Sequence, residues 1–427
     1  MKTRNPGLLA CCLAGVPLLM NVTPVWALET TYQLGYRLTY QSNIRKTEIN
    51  PESEWINSFL ASVQATETSA SIDLNLDASL QRLVYKNNTY PDRSVANATG
   101  DLLWTIRPER FTWSVNDYLR ETIIDPRDTN VPTNRQRTNT FTTGPDFIFR
   151  VTSRDTLMLS YRFIDNYQEV TNIDSQQNLG TLSWQHMLSP VSSLSLISNY
   201  LDVDYEAEIY PDRVIIDNLL RYKLARPSIE YQVDIGTTTV RTQNQTEIDG
   251  DLRILAVNYN ITATETFSVK LSDRLVEAGN IVDAALVPDD QLADGRFLTA
   301  NVYREKRSQL GYAWAGPFAT LTLNVYTSTR NYFQDSTLDN TIDGGLLALG
   351  YSATETLQLT LNANISTRRY PVDGRRLDTQ TYSIDAVYLI SSDLVLTGSV
   401  GTRSRDSSVA GQNYDDFIAS IGITYTI

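Results

Sequence analysis

The chain has 427 residues, with 36 basic and 49 acidic side chains, one histidine and two cysteines. A net charge of −13 excludes a general attraction for nucleic acid. Cys11 and Cys12 are the only thiols and lie near the start, which excludes a disulfide framework or a thiolate metal site in the rest of the chain.

The first 27 residues read as a secretory signal. Lys2 and Arg4 form a basic region, Leu8 to Met20 is apolar, and Val25-Trp26-Ala27 offers small residues at the two positions that a signal peptidase inspects. The Leu8-Leu9-Ala10-Cys11 stretch comes too early for a lipoprotein cleavage site, so cleavage is expected after Ala27. Losing Lys2 and Arg4 leaves 34 basic against 49 acidic residues, a mature net charge of about −15. Residues 28–427 show no linker and no composition break, and they are expected to form one domain. They contain no apolar run long enough for a membrane helix.

Period-two alternation begins at once. Tyr32, Leu34, Tyr36, Leu38 and Tyr40 share one face of a strand, with Gly35, Arg37 and Thr39 on the other. In residues 70–81, Ile72, Leu74, Leu76, Ala78 and Leu80 alternate with Asp73, Asn75, Asp77, Ser79 and Gln81. The pattern returns at Ile229–Gly236, at Leu357–Ser366 and at Tyr382–Tyr388. Tight turns near residues 66–69, 107–110, 152–155, 189–191, 225–227, 262–265, 316–317, 353–355 and 391–393 alternate with longer polar connections. Those fall around 43–52, 86–92, 123–138, 165–175, 205–213, 242–249, 277–296, 334–340, 369–378 and 404–411. Successive tight turns are about 37 residues apart, stretching to about 53 around the 277–296 loop, the span of one long hairpin. A propeller blade would need four short strands in that span, and two long ones are present.

This is the layout of an all-β, antiparallel, up-and-down transmembrane barrel of about 20 strands, with 18 to 22 allowed by the count. Asp73, Asn75 and Asp77 decide which face meets lipid. A charge at the bilayer midplane costs about 2–4 kcal/mol for Arg or Lys and somewhat less for Asp. The apolar row is therefore expected to face lipid, and the polar row the lumen. By this rule the lumen carries Arg37, Asp73, Asn75, Asp77, Arg150, Arg162, Glu230, Asp234, Lys270, Asn362 and Asp385. The last strand, "SIGITYTI", puts Ile421, Ile423, Tyr425 and Ile427 on the lipid face. It must pair with the strand beginning near Tyr32, because backbone groups in hydrocarbon have no water to bond. Tyr32, Tyr161, Trp184, Tyr222, Trp314 and Tyr388 are candidates for the interfacial aromatic belt.

Candidate chemistry is sparse. His186 is the only imidazole, on the outward row beside Trp184, and reads as an interfacial histidine; an outer-membrane lipid hydrolase is the remote alternative. The acidic loop with Asp283, Asp289, Asp290 and Asp294 lacks calcium-loop spacing. No catalytic, cofactor or metal residue is assigned. The lumen row is of mixed sign and rich in amides and hydroxyls, which suits a weakly selective aqueous path or a neutral polar polymer rather than a single-sign ion filter. Strands start soon after the cleavage site, so no plug domain is expected.

Several segments carry a resemblance: Thr143-Gly144-Pro145-Asp146-Phe147 opening a strand, Leu159-Ser160-Tyr161-Arg162 in the next, Trp184-Gln185-His186 with Leu188-Ser189-Pro190, and Val203-Asp204-Tyr205. The sequence resembles the outer-membrane β-barrel proteins associated with exopolysaccharide and PEP-CTERM systems, which are similar to β-barrel porins. The resemblance implies an outer-membrane location and a link to polysaccharide export. The expected partners are outer-membrane lipid and lipopolysaccharide, the barrel-assembly machinery and exopolysaccharide export proteins. The expected function is a porin-like channel for polar solutes or exopolysaccharide; the alternative is a non-conducting structural barrel of an export system.

Overall fold

A computed structural model describes residues 28–243, 246–277 and 300–427. The signal-peptide expectation for 1–27 and most of the acidic 277–296 loop lie outside the described residues. Twenty strands follow one another in chain order: β1 (Glu29–Gln41), β2 (Glu54–Thr68), β3 (Ile72–Tyr85), β4 (Arg93–Arg107), β5 (Phe111–Ile123), β6 (Arg135–Arg150) and β7 (Asp155–Gln168). Then come β8 (Ser175–Ser189), β9 (Ser192–Tyr205), β10 (Arg213–Arg226), β11 (Ile229–Thr242), β12 (Glu247–Asn260), β13 (Glu265–Glu277) and β14 (Val302–Ala315). The set ends with β15 (Ala319–Tyr332), β16 (Asn340–Ser352), β17 (Leu357–Tyr370), β18 (Arg375–Leu389), β19 (Leu394–Ser407) and β20 (Tyr414–Thr426).

Each strand pairs antiparallel with its chain neighbours, and β1 pairs with β20 from Gln33↔Thr426 to Gln41↔Ile418. Tyr32 and Ile427 exchange backbone hydrogen bonds of 3.2 and 2.8 Å, which completes the seam. The sheet is thus a closed antiparallel barrel with no free edge, the condition for holding a sheet in hydrocarbon. Serine and threonine hydroxyls fix the short turns: Thr152 Oγ1 accepts from the amides of Arg154 and Asp155, and Thr354 Oγ1 from those of Thr356 and Leu357.

Register assigns the faces, because paired residues share one side of a sheet. Ile421 pairs with Leu38 and Gly398, while Arg37 pairs with Gly422 and Ser58 on the opposite face. Carried round the ring, the outward row of β17 is Leu357, Leu359, Leu361, Ala363 and Ile365, then Thr367 and Arg369. The outward row of β20 is Tyr425, Ile423, Ile421, Ala419 and Phe417, then Asp415. From the short-turn end, each apolar outward run covers about 9 residues, or about 23 Å of height at a tilt near 40°. That matches the apolar band of an outer-membrane barrel.

The strands run 13 to 16 residues, longer than the band requires. Their upper parts rise beyond it toward the long-loop end. There the outward row turns charged and pairs with itself: Arg253–Asp251 at 2.8 Å, Arg304–Asp273 at 2.7 Å, Arg369–Asp343 at 2.8 Å and Arg376–Asp378 at 2.8 Å. This region is where the sequence reading and the structure diverge. Stretches read as loops at 369–378, 404–411 and 242–249 are half strand or more, with connections of only 371–374, 408–413 and 243–246. Above the band both faces are polar, so the alternation that marks a strand in sequence disappears. Likewise Thr143–Phe147 lies inside β6 rather than at its start.

Candidate functional site

The predicted lumen residues all fall on the face opposite Ile421. Asp77 accepts from Gln64 Nε2 at 2.8 Å. Arg162 makes a bidentate pair with Asp146 at 2.8 and 2.6 Å. Asp234 is fully buried and held by Arg221 at 2.8 and 2.9 Å and by Gln232 at 2.9 Å. Glu230 pairs with Lys223 at 2.8 Å, and Asn362 donates to Asp385 at 2.8 Å. Asn75 lies across from Asp101 and Thr66, Asp73 from Leu103 and Thr68, and Lys270 from Ala256 and Gln309. Arg150 closes β6 at the short-turn rim and pairs with Glu109 at 3.0 Å. Along this wall positive and negative groups neutralise one another locally. The register does not gather the eleven into one site.

Ile421, Ile423, Tyr425 and Ile427 are on the outward row and exposed. His186 is also outward: it lies across from Asp155 and Leu194, and its Nδ1 is 2.8 Å from Asp155 Oδ1. The six aromatic-belt candidates are all on outward rows, but Tyr161 is mid-strand, across from Gly180, and donates to Asn178 Oδ1 at 2.6 Å.

What the fold does bring together is the long-loop mouth. Two hairpin tops fold inward there. Pairing of β12 with β13 stops at Arg253↔Asp273, while β13 stays paired with β14 up to Glu277↔Val302. Beyond that point Leu275 and Val302, of the outward row, pack against Leu201, Val203, Tyr205, Ile215 and Val240 of the inward rows of β9, β10 and β11. An outward row can meet an inward row only if the hairpin laps inside the wall. Gly250 on the inward row of β12 permits this: a Cβ there would be 2.7 Å from Leu275 Cγ. Arg213 and Glu277, at 4.0 Å and almost wholly buried, add an ion pair to the contact; Tyr205 donates to Glu277, and Arg213 lies 5.1 Å from the Tyr205 ring centre.

The second hairpin is β5–β6. Pairing of β4 with β5 begins only at Ala98↔Leu119, and outward-row Glu121 then contacts inward-row Arg93 of β4. The connecting segment 124–134 crosses the mouth to the far wall. Arg368 of β17 donates to Pro126 O at 3.2 Å, Arg375 of β18 to Arg127 O at 3.4 Å and Arg405 of β19 to Asp128 O at 3.1 Å. Lys46, from the β1–β2 connection, donates to Asn130 O, and Gln412 Nε2 reaches Asp128 Oδ1 at 3.5 Å. Within the segment, Asp125 grips Arg127 at 3.0 Å through both carboxylate oxygens; burial raises the Asp125 carboxyl, and Arg127 outweighs it, so the net shift is downward. Burial, reinforced by Arg403, lowers the Lys46 ammonium to about 7 against an opposing pull from Asp416.

Apart from Val203 and Tyr205, quoted only for the resemblance, none of these mouth residues was singled out from the sequence. Arg368, Arg375, Arg403 and Arg405 do sit on the inward period of β17, β18 and β19, so extending the alternation past the apolar band would have found the row. Lys46 and the 126–130 carbonyls carry no such signal, because they meet only in the closed ring.

A family model described as "Putative beta-barrel porin 2" matches residues 333–426, the segment from the β15–β16 connection through β20. Among solved structures, the FrpB iron transporter of Neisseria meningitidis (F3-3 variant) is similar at a TM-score of 0.52 and 9% identity, covering 93% of this chain and 81% of that one. Its F5-1 variant is similar at 0.50 and 8%, covering 93% and 83%. The outer membrane protein opdK of Pseudomonas aeruginosa matches at 0.41 and 12%, covering 93% and 99%. No curated protein matches. The fold is that of a porin-like outer-membrane β-barrel, and the family match covers its last five strands.

Proposed function

We propose that the protein is a channel that lets polar solutes cross the outer membrane, exopolysaccharide in export among them, and that it is not an enzyme. One observation carries this reading: the ring closes at β1–β20, and its inward row carries paired charges and amides at β6–β7, β10–β11 and β17–β18. Such a wall solvates a polar solute without trapping one sign of ion. A ring of twenty strands also exceeds the roughly 8 whose interior side chains fill by themselves.

The test is conductance of the purified barrel in planar bilayers. Discrete steps are expected, and a silent bilayer would overturn the reading. The two inward hairpin tops favour a second reading, a non-conducting structural barrel of an export assembly, and that silent result would favour it. Deletion of the gene should lower secreted exopolysaccharide if the cargo is a sugar chain; unchanged secretion removes exopolysaccharide from the proposal.

A further inference from the structure

A concavity of about 450 Å³ lies in the bore itself, on the wall of β7–β11 toward the short turns, and inward-row residues line it. Register shows how it forms. Ser195 of β9 lies between Gln185 of β8 and Arg221 of β10, and Ser193 lies between Met187 and Lys223. Short side chains flanked by long ones on both neighbouring strands make β9 the floor of a trough, and Ser193 and Ser195 keep only 6% and 7% of their exposure. One step further from the short turns, Met158, Ser183, Ile197 and Leu219 form a row across β7–β10. Three of these four are apolar, although the row faces a polar bore. Beyond it come Thr181 and Asn199. The trough thus carries an apolar strip with hydroxyls and amides on either side.

The charges at its edge are already matched. Arg221 is forked onto Asp234 at 2.8 and 2.9 Å, Lys223 pairs with Glu230 at 2.8 Å, and Gln232 donates to Asp234 at 2.9 Å. What stays uncommitted is neutral. Among the described residues, the side chains of Ser183, Gln185, Ser193 and Ser195 make no hydrogen bond. Asn199 accepts one bond, from Thr181 Oγ1 at 2.9 Å, which leaves its two amide donors unspent. Apolar lining with a few placed donors and acceptors is the usual make-up of a small-molecule pocket.

We propose that this trough is a subsite for an uncharged sugar unit. A sugar ring presents a C–H face and a rim of hydroxyls that both donate and accept. The face would lie on Met158, Ile197 and Leu219, and the rim would meet Gln185, Ser195 and Asn199. A carboxylate or phosphate would first have to draw Arg221 or Lys223 off the carboxylate it already holds. The subsite deepens the channel reading, on which it rests for the route by which the sugar arrives.

Saturation-transfer NMR on the full barrel, in a detergent without a sugar headgroup, tests this. Glucose, galactose and cellotriose serve as neutral probes and sodium galacturonate as the acidic one. At least one neutral sugar is expected to bind, and more tightly than galacturonate. In Gln185→Ala/Asn199→Ala, which removes two uncommitted amides, that affinity should fall about tenfold. Should this variant lack the heat-modifiable band of a folded barrel, Met158→Ser, which removes part of the apolar strip, is expected to weaken binding several-fold in its place. Binding of no neutral sugar, tighter binding of galacturonate, or parental affinity in a folded variant overturns the subsite. Bilayer recordings keep the two readings apart: sugar binding without conductance removes the channel and keeps the subsite, and conductance without sugar binding does the reverse.

Discussion

The two hairpin tops that enter the mouth are held by opposite kinds of force. The β13–β14 top is fastened by apolar contact: Leu275 and Val302 are buried among Val203, Ile215 and Val240, around a buried Arg213–Glu277 pair. The β5–β6 connection is fastened by cations reaching its carbonyls. Apolar burial is non-directional and grows with the area removed from water, whereas the second top is seated by a few directional polar contacts, two of them from the buried Arg405 and Lys46. The same architectural move, an outward row lapped inside an inward one, thus gives one wall seated by apolar packing and one latch seated by polar contacts.

The largest effect that would break this comparison is expected in the fixed hairpin. Replacing Arg213 with Met removes the buried cation that faces Glu277, and breaking a buried ion pair costs about 3–5 kcal/mol. Hydrogen exchange at 275–277 and 300–303 should speed up by more than a hundredfold, while exchange at 126–130 stays unchanged. Accelerated exchange in both regions would show that they are one unit.

A smaller effect is expected from Gly250→Val. Its side chain would meet Leu275, and overpacking of this kind costs about 1–3 kcal/mol. The hairpin should lift and protease cleavage near Val302 should increase, with β12–β13 pairing below Arg253 intact. Resistance equal to the parent would mean that the lap does not depend on the missing Cβ.

The smallest effect sharpens the latch. Lys46 faces Arg403, Arg405, Arg135, Asp416 and the Tyr414 ring, and its ammonium has fallen from 10.5 to about 7. Between those values the unfolded chain holds a proton that the folded chain has released. The cost of burying the ammonium is therefore fully present below pH 7 and is relieved as pH rises. Stability in detergent should therefore rise as the pH is raised above 7, read by thermal unfolding of the full barrel. Lys46→Met should flatten that dependence; an unchanged slope would assign it to another group.

The sequence by itself determined the barrel, its strand number within the stated range, and the two faces. Each follows from a local rule: a period of two over the apolar band, hydroxyl-bearing short turns, and the cost of a carboxylate in lipid that sends Asp73, Asn75 and Asp77 inward. The tertiary structure alone decided the mouth. Above the band both faces are polar, so β17, β18 and β19 lose their alternation just where Arg368, Arg375, Arg403 and Arg405 stand. The carbonyls that Arg368, Arg375 and Arg405 reach belong to the β5–β6 connection, more than two hundred residues away in the chain. Lys46, Asn130 and Arg405 have no pattern in common; only closure of the ring puts them within reach of one another.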